Sequence, residues 1–114
     1  MARASVGDRL RHVSRSIAAI EGYWSGKSLQ DFEASEPLRA ATERHLLIIS
    51  EAVRHIPQED KDRYPHIPWR DIAGIGNILR HGYDAVDPAR IWAVVVADLQ
   101  PLKAAVEDIA SRPE

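Results

Sequence analysis

The chain has 114 residues, 45% of them hydrophobic and 28% charged, with no cysteine and a formal net charge of −2. That length suits one domain, residues 1–114, with a single core, and the missing cysteine excludes disulfides, thiol chemistry and thiolate zinc sites. A near-neutral balance argues against broad nucleic-acid binding but allows a local basic patch.

The opening residues hold arginines but no apolar h-region, and no run nears the ~18 apolar residues of a membrane span. No signal peptide and a cytoplasmic location are therefore expected, with no membrane contact. Val6, Leu10, Val13, Ile17, Ile20 and Trp24 step by four and three, the apolar stripe of a first helix ended by Gly22 and Ser25-Gly26. Arg3, Arg9, Arg11 and Arg15 against Asp8 read as its solvated, basic face. After a turn holding Leu29 and Phe32, Ser35-Glu36-Pro37 marks a helix start. That second helix is expected from Leu38 to Ile56, broadly apolar and so central in a bundle or shared with a partner subunit, with Pro57 stopping it.

Pro65 and Pro68 make the next segment a loop, and Pro68 opens a third helix from Trp69 to Arg80 or Tyr83. Asp87-Pro88 is a cap followed by proline at the first helical position. The last helix should bury Ile91, Trp92, Val95, Val96 and Leu99, and Pro101 should kink or divide it. No sustained alternation suggests a strand. The expected fold is all-α, an up-down bundle of four to five helices whose last helix is kinked at proline.

The third helix carries the chemistry. Ile72, Ile75 and Leu79 fall on one face, while Asn77 and His81 fall about 140° and 180° from Ile72, with Arg80 near 80°. Asn77 and His81 can thus present amide and imidazole side by side, or stand as an ordinary surface amide and exposed histidine. Tyr83 lies about 160° from His81 in an unbroken helix, so a break at Gly82 is needed to bring the two together. Gly74 and Gly76 suggest close approach of another backbone, such as the same helix of a second subunit. The five histidines form no metal-ligand pair, and no phosphate-binding loop, nucleophile elbow or paired-carboxylate motif occurs. No metal and no cofactor are expected.

Four features come in order: Arg44, Leu46, Ile49, Glu51 and Ala52; then Tyr64-Pro-x-Ile-Pro-Trp69; then Asn77, His81 and Tyr83; then Val86-Asp-Pro-x-x-x-Trp92. On these, residues 43–103 resemble the HepT-like proteins of the HEPN superfamily, and the preceding helix and turn also fit. The resemblance implies a helical homodimer with a composite site at its interface. It also implies the toxin of a type VII toxin–antitoxin pair, a metal-independent endoribonuclease acting on RNA. Its partner would be an MntA-like minimal nucleotidyltransferase antitoxin that silences the toxin by attaching AMP to a tyrosine. On the family motif R-x-x-x-x-H-x-Y, His81 corresponds to the catalytic histidine and Tyr83 to the AMP acceptor. The motif arginine falls on Gly76, so the cation must come from Arg80 or Arg44, with Asn77 orienting His81 or the phosphate. A different class of function is a catalytically silent HEPN module that binds the nucleotidyltransferase. A plain structural dimer ranks last, because it leaves Asn77, His81 and Tyr83 unexplained.

Overall fold

The computed structural model describes residues 5–82 and 86–113, and in them the only regular elements are helices. In chain order these are α1 (Val6–Trp24), α2 (Leu29–Ala34), α3 (Glu36–Val53), α4 (Gln58–Lys61), α5 (Trp69–His81), α6 (Pro88–Ala97) and α7 (Leu99–Ser111). The all-α expectation holds. Two segments read as a turn and a loop prove helical, as α2 and α4. Among the described residues no helix is long and apolar enough to cross a membrane.

Local signals fix most helix starts. Ser5 and Asp8 form a reciprocal capping box on α1, and Ser28 and Asp31 form another on α2. Ser35 caps α3 ahead of Pro37, and Asp87 accepts from the Ala89 N–H ahead of α6. α3 stops at Val53, short of the expected Ile56. The chain there tightens into i−3 bonds, His55 N–H to Ala52 O (3.1 Å) and Ile56 N–H to Val53 O (3.3 Å).

The stripe of α1 is buried from Leu10 to Trp24, whereas Val6 is 38% exposed at the helix end. α1 packs antiparallel on α3, with Leu46, Ile49 and Val53 facing it, and α7 adds Leu102 and Val106 to the same core. Burying each such side chain stabilises the fold by about 1.5–3 kcal/mol. The polar groups between α1 and α3 are joined in pairs: Trp24 Nε1 donates to Thr42 Oγ1 (2.7 Å), which donates to Leu38 O (2.7 Å). His45 bridges Ser16 (3.1 Å) and the Tyr23 hydroxyl (3.3 Å), so it knits α1 to α3.

The shared motifs around α5 are structural. Trp69 Nε1 donates to the carbonyls of Lys61 and Tyr64, Ile67 is buried, and the Tyr64 hydroxyl donates to Asp108 of α7. Trp92 packs against Trp24 and Phe32, with ring centroids 5.8 and 5.4 Å apart. The first set anchors the start of α5, and the second ties α6 to α1 and α2.

The last helix divides rather than bends. Pro101 has no N–H for the Ala97 carbonyl and its ring crowds that turn, so the break falls at Asp98 and Pro101 is accommodated in the first turn of α7. Val96, expected on the buried stripe, is 61% exposed because it lies about 140° round α6 from Ile91.

α3 and α5 meet at glycine. A Cβ on Gly76 would lie 2.4 Å from Ser50 Oγ and 3.4 Å from Ser50 Cβ. The close neighbour of Gly76 is therefore a side chain of α3 in the same chain, where another backbone was expected. Gly74 has nothing within 4 Å of its Cβ position, so no close approach within the chain accounts for it. Ser50 Oγ donates to Leu47 O (2.9 Å), and Arg54 donates across to Ala73 O (2.9 Å).

Two stability tests follow from this packing. Gly76→Ala gains roughly 1 kcal/mol of helix propensity but overpacks at about 1–3 kcal/mol, so urea unfolding should show net loss. Adding Ser50→Ala should recover at least about 1 kcal/mol, since the remaining Cβ pair fits; simple additivity of the two changes would contradict the contact. At the α6–α7 junction, burial first and Asp71 second push the Asp98 carboxyl above its ordinary range. Ionised Asp98 therefore weakens the fold increasingly as pH rises from the unfolded value, about 3.9, through the raised folded one. Asp98→Asn should raise the melting temperature at neutral pH, and the gain should vanish in acid. A gain that is equal at both pH values would exclude this cause.

Candidate functional site

The final turn of α5 carries the residues singled out in sequence. The buried face of Ile72, Ile75 and Leu79 holds the helix down, leaving Asn77, Arg80 and His81 exposed. Gly82 caps α5, its N–H donating to Ile78 O (2.8 Å). Its φ of −123° is ordinary, so the helix ends there without left-handed backbone. Tyr83, with the expected swing toward His81, lies outside the described residues.

Arg80 stands one turn beyond Gly76 on nearly the same face, about 40° round. Long side chains on a helix lean toward its N-terminus, over the preceding turn. Here that brings Arg80 Nη2 to 3.7 Å from the place where a Gly76 Cβ would be. A guanidinium thus lies over position 76, although residue 76 has no side chain of its own.

Arg80 also opens into a cleft of about 400 Å³ between α1, α3 and α5. Arg44 and Glu51 of α3 and Arg9 and His12 of α1 share it. The structure thus brings together both arginines named as candidate cations. It does not bring Asn77 or His81 into the same cleft; they line the exposed end of α5 beside it. Arg9 and His12 were read in sequence as part of a solvated face. Their i, i+3 spacing was the available signal, but only the antiparallel packing of α1 on α3 sets them beside Arg44.

Positive charge in the cleft outweighs the one carboxylate there, Glu51. Among the described residues, ion pairs join Arg11 to Asp8, His55 to Glu51, Lys103 to Glu21 and Arg112 to Asp108, and none includes Arg9, Arg44 or Arg80. Guanidinium groups present forked donors suited to phosphate oxygens, so the arrangement is chemically apt for a phosphodiester. Among the described residues no three His, Asp or Glu side chains cluster as a metal site would require.

A family model described as Ribonuclease HepT-like matches residues 13–109. MJ0434 of Methanocaldococcus jannaschii, named as a gamma-glutamylcyclotransferase and candidate RNase, is 39% identical over 101 residues, covering 89% of this chain and 46% of that protein. The chain thus spans less than half the length of MJ0434. "Probable ribonuclease HepT" of Thermococcus cleftensis is 33% identical over 102 residues, covering 90% of this chain and 93% of that protein. TTE0752 of Caldanaerobacter subterraneus subsp. tengcongensis, named as a candidate RNase, is 30% identical over 103 residues, covering 90% of this chain and 92% of that one. No solved structure matches the chain significantly. With the family model spanning nearly the whole chain and a relative matched over almost its full length, the chain belongs to the ribonuclease HepT-like family of the HEPN superfamily.

Proposed function

We propose that this chain is an endoribonuclease toxin, active without a metal ion, held in check by a neighbouring MntA-like nucleotidyltransferase that attaches AMP to Tyr83. The carrying observation is the guanidinium of Arg80 lying over Gly76, in one cleft with Arg44. It supports the presence of a cation where the family motif calls for one. In this reading His81 takes the proton of a ribose 2′-hydroxyl as that oxygen attacks the adjacent phosphorus. The departing 5′-oxygen is protonated in turn. Arg80, with Arg44 behind it, stabilises the charge that builds on the phosphate oxygens, and Asn77 orients His81 or the phosphate. A homodimer completes the site; Gly74, open on its Cβ side, leaves room for a close neighbour on α5.

A second reading is a catalytically silent module that binds the nucleotidyltransferase. The observation favouring it is that His81 lies outside the cleft of Arg44 and Arg80 within one chain. Its signature is a stable complex with that partner and no RNA cleavage with His81 intact.

Purified protein with chelator present should cleave RNA, and His81→Ala should abolish cleavage while leaving the fold intact. Arg80→Ala should lower kcat by about 10²–10³, the loss expected for one transition-state donor. Cleavage that survives His81→Ala would sink the assignment. Co-expression with the neighbouring nucleotidyltransferase should add one adenylyl group by intact mass, mapped to Tyr83 and absent in Tyr83→Phe. An unmodified Tyr83 in an inhibited complex would contradict that mode of control.

A further inference from the structure

Arg9 and His12 belong to none of the family motifs, yet they stand one turn apart on α1 and open into the cleft that holds Arg44 and Arg80. Arg9 Nε is enclosed and meets no hydrogen-bond partner among the described residues. A buried donor left unmatched is costly, more so on a charged group, so Arg9 is held against α1 without a carboxylate of its own. The acids nearby are engaged elsewhere: Glu51 pairs with His55 (3.4 Å), and Asp8 takes the Ser5 N–H (3.0 Å) and Arg11. Three guanidiniums share the groove with a single carboxylate, Glu51, so it keeps an excess of positive charge that attracts an anion. Among the described residues no Phe, Tyr or Trp lines the cleft, which offers forked cations suited to a phosphate.

We infer that Arg9 and His12 form, with Arg44, a second phosphate subsite that holds the RNA backbone next to the scissile phosphate at Arg80. The inference rests on the ribonuclease reading for the identity of the polyanion. The subsite grips the backbone without reading bases, so it contributes affinity independent of sequence. It also places α1, which carries no part of the family motif, in direct contact with substrate.

The test uses the full chain and a uniformly 2′-O-methylated single-stranded RNA, which cannot be cleaved because its 2′-oxygens are blocked. Binding is followed by fluorescence anisotropy across a salt series, beside cleavage of the unmodified RNA. Arg9→Gln should weaken binding about tenfold and reduce the slope of log K against log salt by about 0.7, the loss of one single-strand phosphate contact. His12→Gln should act in the same direction, and KM for RNA should rise more than kcat falls. Arg15→Gln removes the same charge from a part of α1 that does not line the cleft and should bind as the parent does. If the parent cleaves RNA while Arg9→Gln and His12→Gln bind as it does, the subsite is wrong and the ribonuclease reading stands. If binding depends on Arg9 but no RNA is cleaved, the subsite stands and the ribonuclease reading falls. A parent that neither binds nor cleaves overturns both.

Discussion

The contact between Ser50 of α3 and Gly76 of α5 is the constraint on which the site depends. A Cβ at position 76 would collide with the Ser50 hydroxyl, held on Leu47 O, while that hydroxyl keeps its place. The spacing of the two helices seats Ile72, Ile75 and Leu79 against the core and turns the opposite face of α5 to solvent. It also leaves a shallow space above Gly76 into which the side chain one turn later can lean. The guanidinium of Arg80 thus lies over the glycine that stands where the family motif carries an arginine.

The cleft extends this logic across three helices. α1 and α3 lie antiparallel because their apolar stripes match and because Ser16, Tyr23 and His45 join them. That alignment carries Arg9 and His12 to the level of Arg44, and the α3–α5 contact brings Arg80 up to them. A chain with a formal net charge of −2 thus gathers positive charge in one place, as a protein using a local patch on a polyanion would. Tyr64 and Trp69 fix the start of α5, and its buried face of Ile72, Ile75 and Leu79 carries that placement along the helix. Positioning of that kind matters wherever charge must meet a developing anion at short range.

Much of this was legible in the sequence because it is written locally. The stripe of α1, the caps at Ser35 and Asp87 and the stop at Gly82 each need only neighbours a turn away. α2 was readable too, from Ser28 and Asp31 at capping-box spacing, but six residues are too few for periodicity to reveal a helix. Val96 was legible as exposed, since within α6 itself it lies about 140° from the buried Ile91, but the run of valines hides that phase. Asn77, Arg80 and His81 stood out from helical angles alone. Arg9 and His12 did not, since their meeting with Arg80 depends on the packing of helices far apart in sequence. Gly76 shows the same limit: its spacing announced a close approach, but only the tertiary structure says that the neighbour is Ser50.

The central claim is that Arg80 supplies the positive charge above Gly76. The most direct measurement is a crystal structure of the His81→Ala protein with a short 2′-O-methylated RNA bound. The account predicts a backbone phosphate within hydrogen-bond reach of the Arg80 guanidinium, with Gly76 still packed on Ser50. A phosphate seated away from Arg80, with that side chain turned to solvent, would contradict it.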